Sequence, residues 1–171
     1  MTFNLKACVL TVLFVFVLLF PSTRLAVNTS SPKDLYLNTE KEYHCLLEGL
    51  YYEARGESET GIRAVASVLY NRKQAKGYPS TYCSVLHQPF QFSYRNNTKV
   101  GKSLKTTVKP SERKAYLKLQ SIAFEAATGA FKPILAPNVL FFCTVSVDKP
   151  PVWSVATKKA ATIGNHIFFK A

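Results

Sequence analysis

The sequence predicts an α+β domain, with helices first and a small sheet at its C-terminal end. Three observations support this. Apolar residues recur at three- and four-residue spacings through several segments before residue 129. The segments Val139–Val147 and Thr162–Lys170 are then rich in β-branched and aromatic residues. The length of 171 residues suits one domain rather than two, and 47% hydrophobic residues with 13% aromatic suffice for a core.

The elements follow in order. Thr39–Ala54 reads as a helix, with Tyr43, Leu46, Leu47, Leu50, Tyr51 and Ala54 on one side and Gly56 suited to its end. A second helix runs from Ser58, a capping residue, to Gln74, with Ile62, Val65, Ala66, Leu69 and Tyr70 as its stripe. Gly77-Tyr78-Pro79-Ser80 is a turn, and Thr81–His87 fits one short helix. Arg95–Pro110, basic and polar, reads as a surface loop. Ser111 is the expected cap of a helix reaching Thr128, with Ala115, Leu119, Ile122 and Ala126 inward and Gly129 just beyond. Pro133 and Pro137 punctuate the connection to the first strand, Val139–Val147. Thr162–Lys170 reads as a second strand with His166 in its middle.

The N-terminus carries an address. Lys6 precedes Ala7–Phe20, an apolar run of fourteen residues broken only by Thr11 and ended by Pro21-Ser22. A membrane-spanning helix needs about 17–25 apolar residues, so the run fits a secretory signal better. Arg24-Leu25-Ala26 is a poor cleavage site, which leaves retention as a membrane tether open. The expected organisation is an export or anchor segment over 1–27, a polar spacer over 28–40 and one domain over 41–171. Export implies an oxidising compartment. Cys8 lies within the apolar run, and Cys45, Cys83 and Cys143 then allow one pair and one free thiol. No cysteine–histidine spacing suggests zinc, so no metal is expected. The net charge of +12 favours polyanionic partners, an anionic cell wall among them. An exported chain meets little nucleic acid, so none is expected as partner. The basic run Lys99, Lys102, Lys105, Lys109, Arg113, Lys114 and Lys118 reads either as a solvated face or as a wall-facing one.

The densest chemistry lies in Tyr51-Tyr52-Glu53-Ala54-Arg55-Gly56-Glu57. Glu53 falls in the last turn of the first predicted helix, where the dipole disfavours another negative charge. Aromatic neighbours would add desolvation. Both effects raise a carboxyl pKa, which suits an acid that protonates a glycosidic oxygen near neutral pH.

The segment Cys45-Leu46-Leu47-Glu48-Gly49-Leu50-Tyr51-Tyr52-Glu53-Ala54-Arg55-Gly56-Glu57 resembles the signature of the SleB-like cell-wall hydrolases, which include spore-cortex lytic enzymes and phage endolysins. Gly61–Ala66 with Asn71-Arg72, Tyr78–Thr81 with Cys83–Val85, Gln91-Phe92-Ser93-Tyr94 and Ile163–Phe168 are similar to its later motifs, in the same order. The resemblance spans about Cys45 to Lys170. It implies a lysozyme-like fold, helices followed by a small antiparallel sheet, acting on peptidoglycan glycan strands without a cofactor. It implies Glu53 as the catalytic acid/base, in a lytic transglycosylase or a hydrolysing muramidase. It makes Tyr52, Gln91, Ser93 and Tyr94 candidate substrate-binding residues, and pairs Cys45 with Cys83. A hydrolase would need a second carboxylate, and Glu57, Glu59 and Asp148 are the candidates. Cys143 stands where the family often has histidine. The expected enzyme is a monomer acting outside the cytoplasmic membrane, and the short stretch before Cys45 favours a minimal, endolysin-like lysin. The rivals are a peptidase using Cys143 and His166, and a wall-binding protein without catalysis.

Overall fold

The computed structural model describes residues 31–96, 108–145, 154 and 157–171. The apolar run Ala7–Phe20, most of the 95–110 loop with Lys99, Lys102 and Lys105, and Asp148 lie outside them. Helices come first: α1 (Pro32–Ala54), α2 (Glu59–Gln74), the short α3 (Tyr82–Leu86) and α4 (Arg113–Ala127). Strands β1 (Val139–Thr144), β2 (Lys158–Ile163) and β3 (His166–Lys170) follow, in one antiparallel sheet of order β1-β3-β2. The architecture is α+β, as the sequence predicts. Among the described residues no helix is long and apolar enough to cross a membrane.

Helix α1 starts at Pro32, inside the stretch expected as spacer, with Asp34 in its first turn. Proline suits that position because its missing N–H would have no partner there, and an acid suits the positive end of the helix. Residues 32–38 are exposed throughout, so only capping signals marked them as helix. Ser58 caps α2 as expected, its hydroxyl accepting from the Gly61 amide at 3.3 Å. The start of α4 is displaced from Ser111, because Pro110–Glu112 forms a tight 3-10 turn before Arg113. Gly129, at φ +83°, follows the end of α4.

Helix α2 is buried around most of its circumference, not on a single stripe. Ile62, Ala64, Val65, Val68 and Leu69 are fully enclosed, and so are the polar Ser67, Asn71 and Arg72. Their side chains satisfy backbone groups of the connection into β1 and of its first two residues. Ser67 Oγ accepts from the Ile134 amide, Asn71 Nδ2 donates to the Ala136 and Val139 carbonyls, and Arg72 Nε donates to the Leu140 carbonyl at 2.7 Å. A buried carbonyl without a partner costs about 1–3 kcal/mol, so these groups fix the chain entering β1.

Helix α3 is too short to stand alone. Thr81 caps it, and the buried Glu42 carboxylate of α1 accepts from the Tyr82 amide at 2.6 Å. One helical turn further along α1, Cys45 is bonded to Cys83, as the resemblance implies. A loop of 38 residues closed this way gains about 4 kcal/mol on the chain-entropy estimate.

Thr162–Lys170 is not one strand. Ile163 pairs with His166 across a two-residue turn, Gly164-Asn165, with Gly164 at φ +57°. A glycine at the first turn position and positive φ there are the marks of a II′ hairpin. His166 therefore opens β3 rather than occupying a strand centre.

Candidate active site

Glu53 stands in the last turn of α1, partly buried. Its carboxylate makes no hydrogen bond or ion pair with any described residue, which sets it apart from every other glutamate. Glu40 faces His44; Glu42 caps α3; Glu48 holds Arg95 at 2.8 Å; Glu59 and Glu125 hold Arg63; Glu112 takes the Tyr51 hydroxyl at 2.7 Å and faces Arg55. Burial pushes the Glu53 carboxyl up from 4.5 to about 6, with the positive charge of Arg72 pulling the other way. A group poised there changes protonation near working pH, as a general acid/base must.

The last glutamate, Glu57, sits at the other end of the short link between α1 and α2. Its oxygens accept from the Asn165 amide at 3.2 Å and from Asn165 Nδ2 at 3.1 Å, and His166 Nδ1 lies 3.5 Å away. Its side chain is 6% exposed. A Cβ on Gly164 would lie 1.9 Å from Glu57 Oε2, and one on Gly61 2.9 Å from the same oxygen. Two glycines thus leave room for this carboxylate, which fastens the β2–β3 hairpin to the helices.

Arg72 is the neighbour of Glu53 that the sequence reading placed in a motif without giving it a role. It is 4% exposed, and its guanidinium lies 5.7 Å from the Tyr78 ring, 5.5 Å from Phe92 and 5.8 Å from Phe141. Its Nη1 has no hydrogen-bond partner, and burial pulls its pKa below the usual arginine range. The signal was present: Arg72 falls on the apolar stripe of α2, at helical spacing after Val65 and Leu69. A charge on a core-facing stripe needs a reason.

The four candidate binding residues divide. Gln91 and Ser93 are exposed. Tyr94 is buried, and its ring stacks on that of the half-buried Tyr52, with centroids 4.7 Å apart and planes 13° from parallel. The Tyr94 hydroxyl accepts from Arg95 Nε at 3.4 Å, and burial pushes its pKa up to about 12. Tyr94 thus spends one ring face on Tyr52. The Gln-Phe-Ser-Tyr segment alternates outward and inward side chains, anchoring through Phe92 on Arg72 and Tyr94 on Tyr52.

The cysteine–histidine alternative finds no geometry. Cys143 pairs with Ile167 across β1 and β3, and Thr144 pairs with His166. Successive strand residues alternate faces, so Cys143 and His166 point to opposite sides of the sheet. Burial raises the Cys143 thiol above its ordinary pKa, which disfavours the thiolate a nucleophile needs. His166, 2% exposed, packs edge-on against Phe142. Among the described residues no three His, Cys, Asp or Glu side chains are placed to hold a metal ion.

The fold has counterparts. The chain is similar in fold to the catalytic domain of the germination-specific lytic transglycosylase SleB from Bacillus anthracis. The identity is 24%, over 84% of this chain and 98% of that one, with a TM-score of 0.54. It is likewise similar to the catalytic domain of the Bacillus cereus SleB protein, at 21% identity over 84% of this chain and 94% of that one, with a TM-score of 0.52. No curated protein sequence matches it significantly. The profile of the Cell Wall Hydrolase family matches residues 56–169, from the Gly56 that follows α1 through the Glu57-held hairpin to the end of β3. That span takes in α2, α3, α4 and all three strands, and on it the chain belongs to the cell wall hydrolase family.

Proposed function

We propose that this protein cleaves peptidoglycan glycan strands between N-acetylmuramic acid and N-acetylglucosamine, as a lytic transglycosylase with Glu53 as its acid/base. The observation that carries the reading is the state of Glu53: it alone among the glutamates has a carboxylate without a hydrogen-bond or ion-pair partner among the described residues, and burial holds it near pKa 6. Family membership supplies the cell wall as target.

The chemistry balances on one carboxyl group. Protonated Glu53 gives its proton to the glycosidic oxygen as the bond from muramic acid C1 breaks, and the N-acetylglucosamine end leaves with a hydroxyl. The Glu53 carboxylate then takes the proton of the muramic C6 hydroxyl as O6 bonds to C1. A 1,6-anhydro ring closes, no water is consumed, and Glu53 is again protonated. Water-consuming glycosidases pair two carboxyl groups about 5–9.5 Å apart. Glu57, the nearest candidate in sequence, has both its oxygens accepting hydrogen bonds from Asn165. That favours the single-carboxylate route over a hydrolysing muramidase.

Gln91 and Ser93 are assigned to sugar hydroxyls and acetamides, and Tyr52, backed by Tyr94, to the cleft wall. The apolar run 7–20 is assigned to export or tethering. The enzyme then works as a monomer outside the cytoplasmic membrane, with the Cys45–Cys83 disulfide suited to that compartment. Mass spectrometry of sacculi digested by the protein tests the reaction. The expected products are anhydro-muropeptides; products heavier by one water, with reducing muramic ends, would establish a hydrolase instead.

A further inference from the structure

One residue beside the site breaks two rules at once. Gln88-Pro89-Phe90-Gln91 forms a tight turn, closed by the Gln91 amide on the Gln88 carbonyl at 3.4 Å. Proline at the second position and positive φ at the third are the pattern of a type II turn, whose third position calls for glycine. Here it holds Phe90, at φ +61°. Phe90 is the one described residue other than glycine with positive φ. The residue is also 88% exposed, the most open of the large apolar residues described. A bulky residue in the left-handed region costs backbone energy, and an aromatic ring in water forgoes burial. The fold gains nothing from either, and such outliers concentrate at ligand-binding sites.

The setting points to the ligand. Gln91 and Ser93, exposed, put an amide and a hydroxyl on the same short segment as the Phe90 ring. Phe92 and Tyr94 fasten that segment to Arg72 and Tyr52, and the charge of Glu53 acts on the Tyr94 hydroxyl. An open aromatic face beside hydrogen-bonding groups, on a loop anchored on Arg72 and on Tyr52, the residue before Glu53, matches a pyranose. A sugar ring has an apolar C–H face and a polar rim.

We propose that Phe90 is a stacking platform for a sugar ring of the glycan strand, holding the strand in register with Glu53. The assignment deepens the reading of the site as a glycan-cleaving one and rests on it. Phe90 takes no part in proton transfer; it positions the strand.

Glycine at position 90 separates this role from a structural one, because it fits the turn better than phenylalanine. In the full chain, Phe90→Gly should raise the melting temperature by about 2–4 °C. In a Glu53→Gln background, which binds without turnover, it should weaken binding to peptide-free glycan strands about 3- to 10-fold. Phe90→Trp should restore that binding. With Glu53 intact, Phe90→Gly should raise KM and leave kcat nearly unchanged. Unchanged binding in Phe90→Gly would overturn the proposal. So would a loss confined to anionic phospholipid vesicles, which would make Phe90 a membrane contact. The two readings fail separately: if Glu53→Gln proved fully active, the acid/base assignment would fall, and the Phe90 proposal would stand or fail on the KM of Phe90→Gly with Glu53 intact.

Discussion

Glu53 and Glu57 lie one helical turn apart in sequence, in the same motif, yet the fold treats them in opposite ways. Glu57, at the entrance to α2, is enclosed by Gly61, Gly164, Asn165 and His166, and its carboxylate bonds the hairpin turn. Glu53, at the exit of α1, is desolvated and bonds none of the described residues. A carboxylate with both oxygens held in hydrogen bonds is a fastener. One held out of water without partners is costly to ionise and ready to move a proton. Sequence neighbourhood says little about which is which; the far end of the chain decides, because Asn165, the partner of Glu57, arrives in the turn between β2 and β3.

The sharpest way to break the comparison is to unfasten Glu57. Glu57→Ala leaves Asn165 without its acceptor and a void between two glycines. It should cost about 2–4 kcal/mol, read by chemical denaturation. Gly164→Ala should destabilise by a similar amount, since its Cβ would collide with Glu57 Oε2. If either variant kept full stability yet lost activity, Glu57 would belong to the chemistry after all.

A smaller effect sharpens the other half. The folded-state pKa of Glu53, about 6, lies above its ordinary 4.5. Its contribution to stability is therefore fully present below pH 4.5 and is lost as pH rises through 6, when the buried carboxylate ionises. The loss is about 2 kcal/mol at most. Glu53→Gln has no such ionisation. It should match the parent near pH 4 and exceed it in melting temperature at pH 7. A gap independent of pH would mean that Glu53 is not desolvated as described.

Much of this was legible in the sequence, for physical reasons. Helices α1, α2 and α4 showed as apolar spacings, because the faces they turn to the core follow the helical period. Cys45 and Cys83 could be paired, and Glu53 singled out, only through the resemblance. Three features stayed hidden. The first turns of α1 bury nothing, so periodicity could not extend them back to Pro32. The Gly164-Asn165 hairpin was read through as strand because the residues around it are β-branched and aromatic on both sides; the glycine was the missed signal. Arg72 was named in a motif but given no role: its place on the apolar stripe of α2 flagged it, while its partners Phe92 and Leu140 lie too far along the chain for a local pattern to name.

The most direct test of the central claim is the rate at which the full chain clears a suspension of purified sacculi near pH 6, set against Glu53→Gln. The substitution preserves shape and removes the proton, and loss of a general acid/base typically costs about 10²–10⁴-fold. The account predicts a drop of at least about a hundredfold in a variant that is fully folded and still binds sacculi. A folded Glu53→Gln protein that clears sacculi at the parent rate would contradict it.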